Sequence, residues 1–297
     1  MNKRKVNLGI APIAWTNDDM PDLGGGNTFE QCVSEMALAG FKGCEVGNKY
    51  PTDTAKLKKA LEMRGLRIAN RWFSSYILTK PEEEVERDFR IACSFLKEMG
   101  AGVIGASEQS CSVQGQINTP VFDAKCILSD AEWDRLAAGL NKLGDIASGY
   151  GLKLTYHHHM GTVVQTAEEV DRLMSMTDAD KLWLLYDTGH LAYCGEDCVE
   201  VLRKHVSRVG HVHLKDIRPN VVKRVKEEKL SFLTGVREGA FTVPGDGCID
   251  FAPIFDILDG SGYEGWMIVE AEQDPAVADP LEYAIKARQY LLDKAGL

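Results

Sequence analysis

No stretch of this chain approaches the roughly 18 to 20 consecutive apolar residues that span a bilayer. The apolar run after the basic start Met1-Asn2-Lys3-Arg4-Lys5 breaks at Pro12. No membrane span and no secretory leader are therefore expected. Basic charge is also short: 34 Lys and Arg stand against 44 Asp and Glu, a net charge of −10. The basic residues are dispersed, and the one local cluster, 223–229, also carries Glu227 and Glu228. That argues against a nucleic-acid surface built on phosphate neutralisation. No C-x-x-C pair occurs among the eight cysteines, Cys32, Cys44, Cys93, Cys111, Cys126, Cys194, Cys198 and Cys248. The nearest two, Cys194 and Cys198, have no matching second pair, so a structural zinc site is not expected. Spread through apolar runs of a long chain, the cysteines read as reduced thiols of a cytoplasmic protein. Nor does a Gly-rich phosphate loop follow the first apolar stretch, which counts against an open dinucleotide-binding sheet.

What is present is repetition. The chain has 297 residues, 44% hydrophobic and 26% charged, which are globular values with room for a large core. Short apolar strands are expected at 6–10, 43–46, 66–70, 102–106, 153–156, 182–186, 208–214 and 266–269. Amphipathic helical stretches alternate with them. Several open on capping-box patterns, at Thr28-Phe29-Glu30-Gln31, Ser129-Asp130-Ala131-Glu132 and Thr166-Ala167-Glu168-Glu169. Eight such units predict a closed α/β fold, a (β/α)8 TIM barrel forming one domain over 1–297. A long excursion follows the fourth strand at 107–128. The segment 218–248 is an insertion between the last two strands, too long for an ordinary connection.

Strand C-termini share one face of such a barrel, so polar strand ends converge whatever their separation in sequence. The fifth strand runs into His157, His158 and His159. The sixth ends in Asp187, followed by a Gly-containing turn to His190. The seventh carries His211, His213, Lys215 and Asp216, and the eighth ends in Glu270 and Glu272. Of the seven histidines only His205 falls outside this set. A lone histidine is ordinarily structural, but six at the ends of consecutive units point to a metal or proton-transfer site. Mixed imidazole and carboxylate donors suit a divalent ion of the Mn, Co, Fe or Zn type. Alternation along each strand selects His157, Asp187, His213 and Glu270 as the ligands. His190, Lys215 and Glu45 are the candidates for the proton steps, and Glu45 reads equally as a structural strand-end glutamate. Asn17, Trp15, Arg71 and His159 are expected to bind substrate, with Trp72 also shaping the pocket.

The stretch Asp187-Thr188-Gly189-His190, then His211-Val212-His213-Leu214-Lys215-Asp216, then the strand ending in Glu270, resemble the xylose-isomerase-like sugar isomerase and epimerase superfamily. Its members are metal-dependent (β/α)8 barrels. Three narrower stretches resemble the inosose dehydratases, a family of myo-inositol catabolism. They are Ile13-Ala14-Trp15-Thr16-Asn17-Asp18-Asp19-Met20-Pro21 with Leu23-Gly24-Gly25, Glu45-Val46-Gly47-Asn48-Lys49-Tyr50-Pro51, and His157-His158-His159-Met160-Gly161-Thr162. The resemblance implies a hydro-lyase acting on 2-keto-myo-inositol (scyllo-inosose). Abstraction of an α-proton and elimination of a β-hydroxyl would give 3D-trihydroxycyclohexane-1,2-dione, with Mn or Co as the metal. Through the resemblance alone, reduced glutathione enters as a further cofactor and a homo-oligomer as the assembly. The partner expected is a small polyol ketone, with no nucleic acid and no membrane.

One departure bears on the chemistry. Ketose 3-epimerases of the superfamily carry a glutamate at the end of the fifth strand that ligates the metal and serves as one of two opposed bases. This chain has His157 there, which fits one-sided elimination better than epimerisation. A ketose 3-epimerase or sugar isomerase is the alternative. A metal-dependent abasic-site endonuclease would need more ligands and a basic face, and an inactive barrel acting as a binding protein is the remaining rival.

Overall fold

The computed structural model describes residues 5–297; the basic start at 1–4 lies outside the described residues. Strands β1 (Val6–Ile10), β2 (Gly43–Glu45), β3 (Arg67–Asn70), β4 (Trp72–Ser75), β5 (Val103–Glu108), β6 (Lys153–His157), β7 (Leu182–Asp187) and β8 (Val209–Leu214) follow in turn. Within the insertion, β9 (Asp216–Ile217) and β10 (Phe241–Thr242) pair antiparallel, and β11 (Gly265–Val269) then returns to the barrel. All barrel pairings are parallel, in the order β3-β2-β1-β11-β8-β7-β6-β5-β4. The eight expected units are present, and the sheet has nine segments because the third strand is broken. Only Arg71 separates β3, which pairs with β2, from β4, which pairs with β5. One chain path thus serves both neighbours in succession and brings the two ends of the sheet together. Asn70 and Arg71 bridge the break by accepting the Gly105 N–H, at 2.7 Å on Asn70 Oδ1 and 3.3 Å on the Arg71 carbonyl.

The helices are α1 (Phe29–Leu38), α2 (Thr54–Glu62), α3 (Glu82–Glu98), α4 (Asp130–Gly149), α5 (Ala167–Met176), α6 (Thr188–Cys194), α7 (Cys198–His205), α8 (Pro219–Glu227), α9 (Phe232–Arg237), α10 (Ala252–Gly260) and α11 (Pro280–Ala295). At α5 the expected capping box is complete: Thr166 Oγ1 accepts the Glu169 N–H, and Glu169 Oε2 accepts the Thr166 N–H at 3.0 Å. At α1 it is half made. Thr28 Oγ1 accepts the Gln31 N–H, but the Gln31 amide turns forward to Glu35. Helix α6 takes the place of the turn expected after Asp187. Short, and directly continuous with its strand, it leaves no loop signal in the sequence.

The main core lies between the strands and the outer helices. A second apolar cluster sits over one side of the barrel mouth, where Met20, Leu23, Val121, Tyr193, Phe232 and Phe241 pack together. They come from the loop after β1, the 107–128 excursion, α6 and the insertion. The insertion is therefore folded, with α8, α9 and the β9–β10 pair in place of loose chain. Asp216 pins it, accepting backbone N–H groups of Gly247, Cys248 and Ile249 at 2.9 to 3.2 Å. The reading of eight reduced thiols needs correction: Cys111 and Cys126 are joined in a disulfide that closes the 107–128 excursion, and the other six are free. The turns at 112–119 bring these two cysteines close, which spacing along the chain does not disclose. Among the described residues no helix is long and apolar enough to cross a membrane.

Candidate active site

Register delivers the first half of the site. The β7–β8 ladder opens with Leu184 opposite Val209, shifts by one residue at Leu184/Leu185, and ends with Asp187 opposite His213. Without the shift Asp187 would stand level with Val212, whose side chain points to the other face of the sheet. The irregularity is what sets the carboxylate beside the imidazole. His157 ends β6, and its Nε2 lies 3.2 Å from Asp187 Oδ2.

His213 is held by both ring edges. Its Nε2 donates to Glu45 Oε1 at 3.0 Å, and the same oxygen accepts from His211 Nε2 at 2.9 Å and Asn70 Nδ2 at 2.8 Å. This fixes the ring, as a carboxylate behind a metal-binding histidine does. His213 Nδ1 then faces two carboxylates, 3.0 Å from Glu270 Oε2 and 3.4 Å from Asp187 Oδ2, yet is buried without a hydrogen bond. A buried nitrogen so placed is satisfied by a proton shared among carboxylates or by a divalent ion. The chemistry around it fits an ion. Burial pushes His157 down to about 4, so it stays neutral and can ligate. Burial would raise Glu270, but Lys215 and His213 outweigh it and hold the carboxyl down at about 2. For Asp187, Lys215 and His190 likewise overcome burial and keep it well below its usual range. Two three-residue groups of donor atoms, His157–Asp187–His213 and Asp187–His190–Glu270, overlap at Asp187.

Two other groups of donors are spoken for. Glu45, His211 and His213 are closed on one another by hydrogen bonds. Beside His159, His190 and Glu272 sits an ammonium: Lys215 Nζ is 3.0 Å from His190 Nε2 and 3.9 Å from Glu272 Oε1.

Lys215 and His190 do not reach the cleft. Lys215 is fully buried, with its Nζ 2.5 Å from Glu270 Oε1. His190 lies behind His159, ring centroids 3.7 Å apart, and its backbone N–H caps onto Asp187 Oδ1 at 2.9 Å. Both stand behind the donor set, Lys215 on Glu270 and His190 on Asp187. Gly189 makes room for this: a Cβ there would meet Lys215 Cγ at 2.4 Å. His158 faces away from the cleft, its Nε2 accepting the Asp187 N–H at 3.2 Å.

The cleft itself has a volume of about 790 Å³ including its open mouth. His157, His213 and Glu270 line it, with Glu45, His159, Glu272, Asp18, Asp19, Asn70, Trp72 and Gln114. Asp187 stands just behind them, fully buried. His159 donates its Nδ1–H to the Met160 carbonyl at 2.8 Å, leaving the Nε2 lone pair free. Three expected pocket residues lie elsewhere. Trp15 is fully buried against α1 and donates to Glu35 Oε2 at 2.6 Å. Asn17 turns inward to accept the Asp19 and Met20 N–H groups, making the turn that presents the two aspartates. Arg71 sits at the β3–β4 break, on the far side of the strand, over Phe95. Strand alternation explains the last: Asn70 and Trp72 face the cleft and Arg71 does not. Asp18, Asp19, Asn70 and Gln114 are polar cleft residues to which the sequence reading assigned no role, and Glu272 stood among the strand ends without one. The Asn-Asp-Asp triplet and the i, i+2 spacing of Glu270 and Glu272 were the available signals for three of them. Gln114 comes from an excursion that carries none.

A buried set of imidazole and carboxylate donors at the C-terminal mouth of an α/β barrel defines a class of enzyme-like barrels before any comparison. The comparisons agree. The family model described as the xylose isomerase-like TIM barrel matches residues 33–294, and the chain belongs to that family. Its curated relatives are narrower in kind. An inosose dehydratase of Clostridium perfringens is 64% identical over 297 residues, covering 100% of both chains. Another, of Geobacillus thermodenitrificans, is 62% identical over 295 residues, covering 99% of each. Among solved structures, the IOLI protein with a bound zinc atom superposes with a TM-score of 0.72 at 17% identity, covering 98% of each chain.

Proposed function

We propose that this chain removes water from an inosose, taking 2-keto-myo-inositol to a trihydroxycyclohexane-1,2-dione. High identity to full-length inosose dehydratases supports the reaction, and one observation within the site supports its one-sided form. The sixth strand segment ends in the neutral imidazole of His157, so carboxylate is missing from the position that a two-base epimerase requires. His157, Asp187, His213 and Glu270 would hold a divalent ion of the Mn, Co, Fe or Zn type, with Mn or Co the expected metal from the resemblance. When bound, such an ion acts as a Lewis acid toward a ketone oxygen and the hydroxyl beside it.

The chain's own groups do the rest. Glu45 aims His213, and Lys215 keeps Glu270 ionised and in place. Proton removal falls to His159, a cleft imidazole outside the ligand set whose Nε2 carries no hydrogen bond. Its tautomer is set by the Met160 carbonyl, so Nε2 accepts the α-proton. Glu272 Oε1, 3.8 Å away, faces the imidazolium that forms. The C–H electron pair becomes the new C=C bond as the β C–O bond breaks, and because the α-carbon carries a hydroxyl the product is an enol, which ketonises to the dione. The proton returns from Nε2 to the departing hydroxyl, which leaves as water. His190, Lys215 and Glu45 then act as supports, the roles that their hydrogen bonds describe.

The test is direct. Protein stripped of metal and reloaded with Mn, with and without reduced glutathione, is given inosose, and the dione is followed by its absorbance. His159→Gln should lose turnover while still binding the ion. Faster epimerisation of fructose or tagatose than dehydration of inosose would overturn the reading in favour of an epimerase.

A further inference from the structure

Apart from Glu272 Oε1, which faces His159, one group of polar residues lining the cleft has no assigned task. Asp18 and Asp19 come from the turn that Asn17 makes, Gln114 from the 107–128 excursion, and Glu272 from beyond the end of β11. All four line the cleft. Glu272 is only 4% exposed, and its Oε2 has no hydrogen-bond partner. Its Oε1 lies 3.8 Å from His159 Nε2 and 3.9 Å from Lys215 Nζ, both beyond hydrogen-bond reach. A buried carboxylate oxygen without a donor is costly, and native structures keep such atoms where a ligand supplies what is missing. Asp19 Oδ2 is met by Gln114 Nε2 at 3.4 Å, a long contact that leaves its acceptor capacity largely unused.

The charge balance of the cleft says which donor. Asp18, Asp19, Glu45, Glu270 and Glu272 all line it, and among the described residues no lysine or arginine does. Ionised carboxylates only accept hydrogen bonds, and bonds to them are stronger than neutral ones. A hydroxyl supplies a donor without charge. Even against a divalent ion and the Lys215 ammonium behind Glu270, these five carboxylates leave the cleft net negative, and a phosphate or carboxylate on the ligand would add like charge to it.

We propose that Asp19 and Glu272, with Asp18 and Gln114, form a hydroxyl-accepting wall that reads the spectator hydroxyls of the ring and confines the cleft to uncharged polyols, excluding their phosphorylated relatives. The identity of the reacting ring rests on the dehydration reading; the selection of hydroxyl over anion does not.

Competition in the Mn-loaded protein tests this, with myo-inositol, its monodeoxy analogues and an inositol monophosphate as probes. Asp19→Asn and Glu272→Gln should each weaken myo-inositol by on the order of tenfold or more. The deoxy analogue lacking the hydroxyl read at that position should bind variant and wild type alike. KM for inosose should rise more than kcat falls in Asp19→Asn. The monophosphate should compete in the double variant and not in the wild type. Equal losses across all analogues, or none, would overturn the wall. Should Glu272→Gln fail to fold, Asp19→Asn on the exposed rim still decides. The two readings fail separately. If wild type makes no dione, yet myo-inositol raises its Tm and not that of Asp19→Asn, dehydration falls and the wall stands. If dione forms and both variants keep wild-type KM and inhibition, the wall alone falls.

Discussion

The two walls of the cleft are built in different ways. On one, His157, Asp187, His213 and Glu270 sit at or just past the ends of adjacent parallel strands, and ladder register sets their relative heights. Three of them are braced from behind: Glu45 on His213, Lys215 on Glu270, the His158 ring on the Asp187 backbone. On the other wall, Asp18, Asp19 and Gln114 arrive on loops, and their contacts are few and long. Glu272, just beyond β11, belongs to the barrel by position and to the loops by its lack of partners. The strand wall has pre-ordered atoms, which suits groups that must meet developing charge without rearranging. The loop wall has unspent acceptors, which suits groups whose partners come with the ligand.

If that contrast holds, substitutions on the strand wall should act on metal binding and turnover, and those on the loop wall on KM and selectivity. The largest effect is expected at Asp187. Asp187→Asn is nearly isosteric and still caps α6, since Asn caps as well as Asp. Turnover should nevertheless fall by about 10³-fold, as for loss of one preorganised charged group, with an unchanged circular dichroism spectrum. Wild-type rates would remove Asp187 from the site. Lys215→Met should cost about 3–5 kcal/mol in urea unfolding, because Glu270 and Asp187 would be left as uncompensated buried charges. A loss under 1 kcal/mol would show that the ammonium braces nothing. Behind the ligands, Glu45→Gln should weaken Mn binding by about 10- to 100-fold, as loss of a carboxylate that orients a ligating histidine does. Titration against a chelating dye measures it, and unchanged affinity would return Glu45 to the list of cleft-facing bases.

The smallest effect concerns pH in metal-free protein. Burial holds His157 down at about 4 and His158 at about 3, and lowers His190 and His211 as well. Below 6.5 the unfolded chain binds protons at these rings that the folded chain refuses. Stability should therefore fall as pH drops from about 6.5 towards 4. His213, held well above its usual value by Glu45 and Glu270 against the effect of burial, works in the opposite sense. The urea midpoint at pH 5 should lie below that at pH 7, and Mn should widen the difference, because the ion binds only deprotonated ligands and so stabilises the fold more at the higher pH. A midpoint that rises on acidification would mean that His213 dominates the network.

Much of the fold was legible because its signals are local. Thr166 and Glu169 complete the box that their spacing announces, and the apolar run of β7 forms a buried parallel strand. The four ligand candidates were legible for the same reason, since barrel strands end on one face and alternation picks the side chain. What was misread depended on non-local packing. Trp15 and Asn17 sit in a stretch that matters, yet their side chains turn into the protein and leave the cleft to Asp18 and Asp19. Arg71 was one residue out of phase with Asn70 and Trp72, and a one-residue step on a strand reverses the face. His190 and Lys215 were found as polar strand-end residues, but depth behind His159 cannot be read from order along the chain. Cys111 and Cys126 meet through turns that carry no pattern.

By itself the sequence determined the alternation of strands and helices, and with it the barrel, because hydrophobic period and capping chemistry act within a few residues. It determined as well that imidazoles and carboxylates would crowd one end, because parallel strands all finish there. Tertiary structure decided which of them face the cleft and which stand behind it. That depended on the register shift at Leu184/Leu185, on the space that Gly189 leaves for Lys215, and on loops that bring Asp19 and Gln114 into the same cleft as His157, His213 and Glu270. These are contacts between residues far apart in the chain, and only the packed molecule fixes their distances.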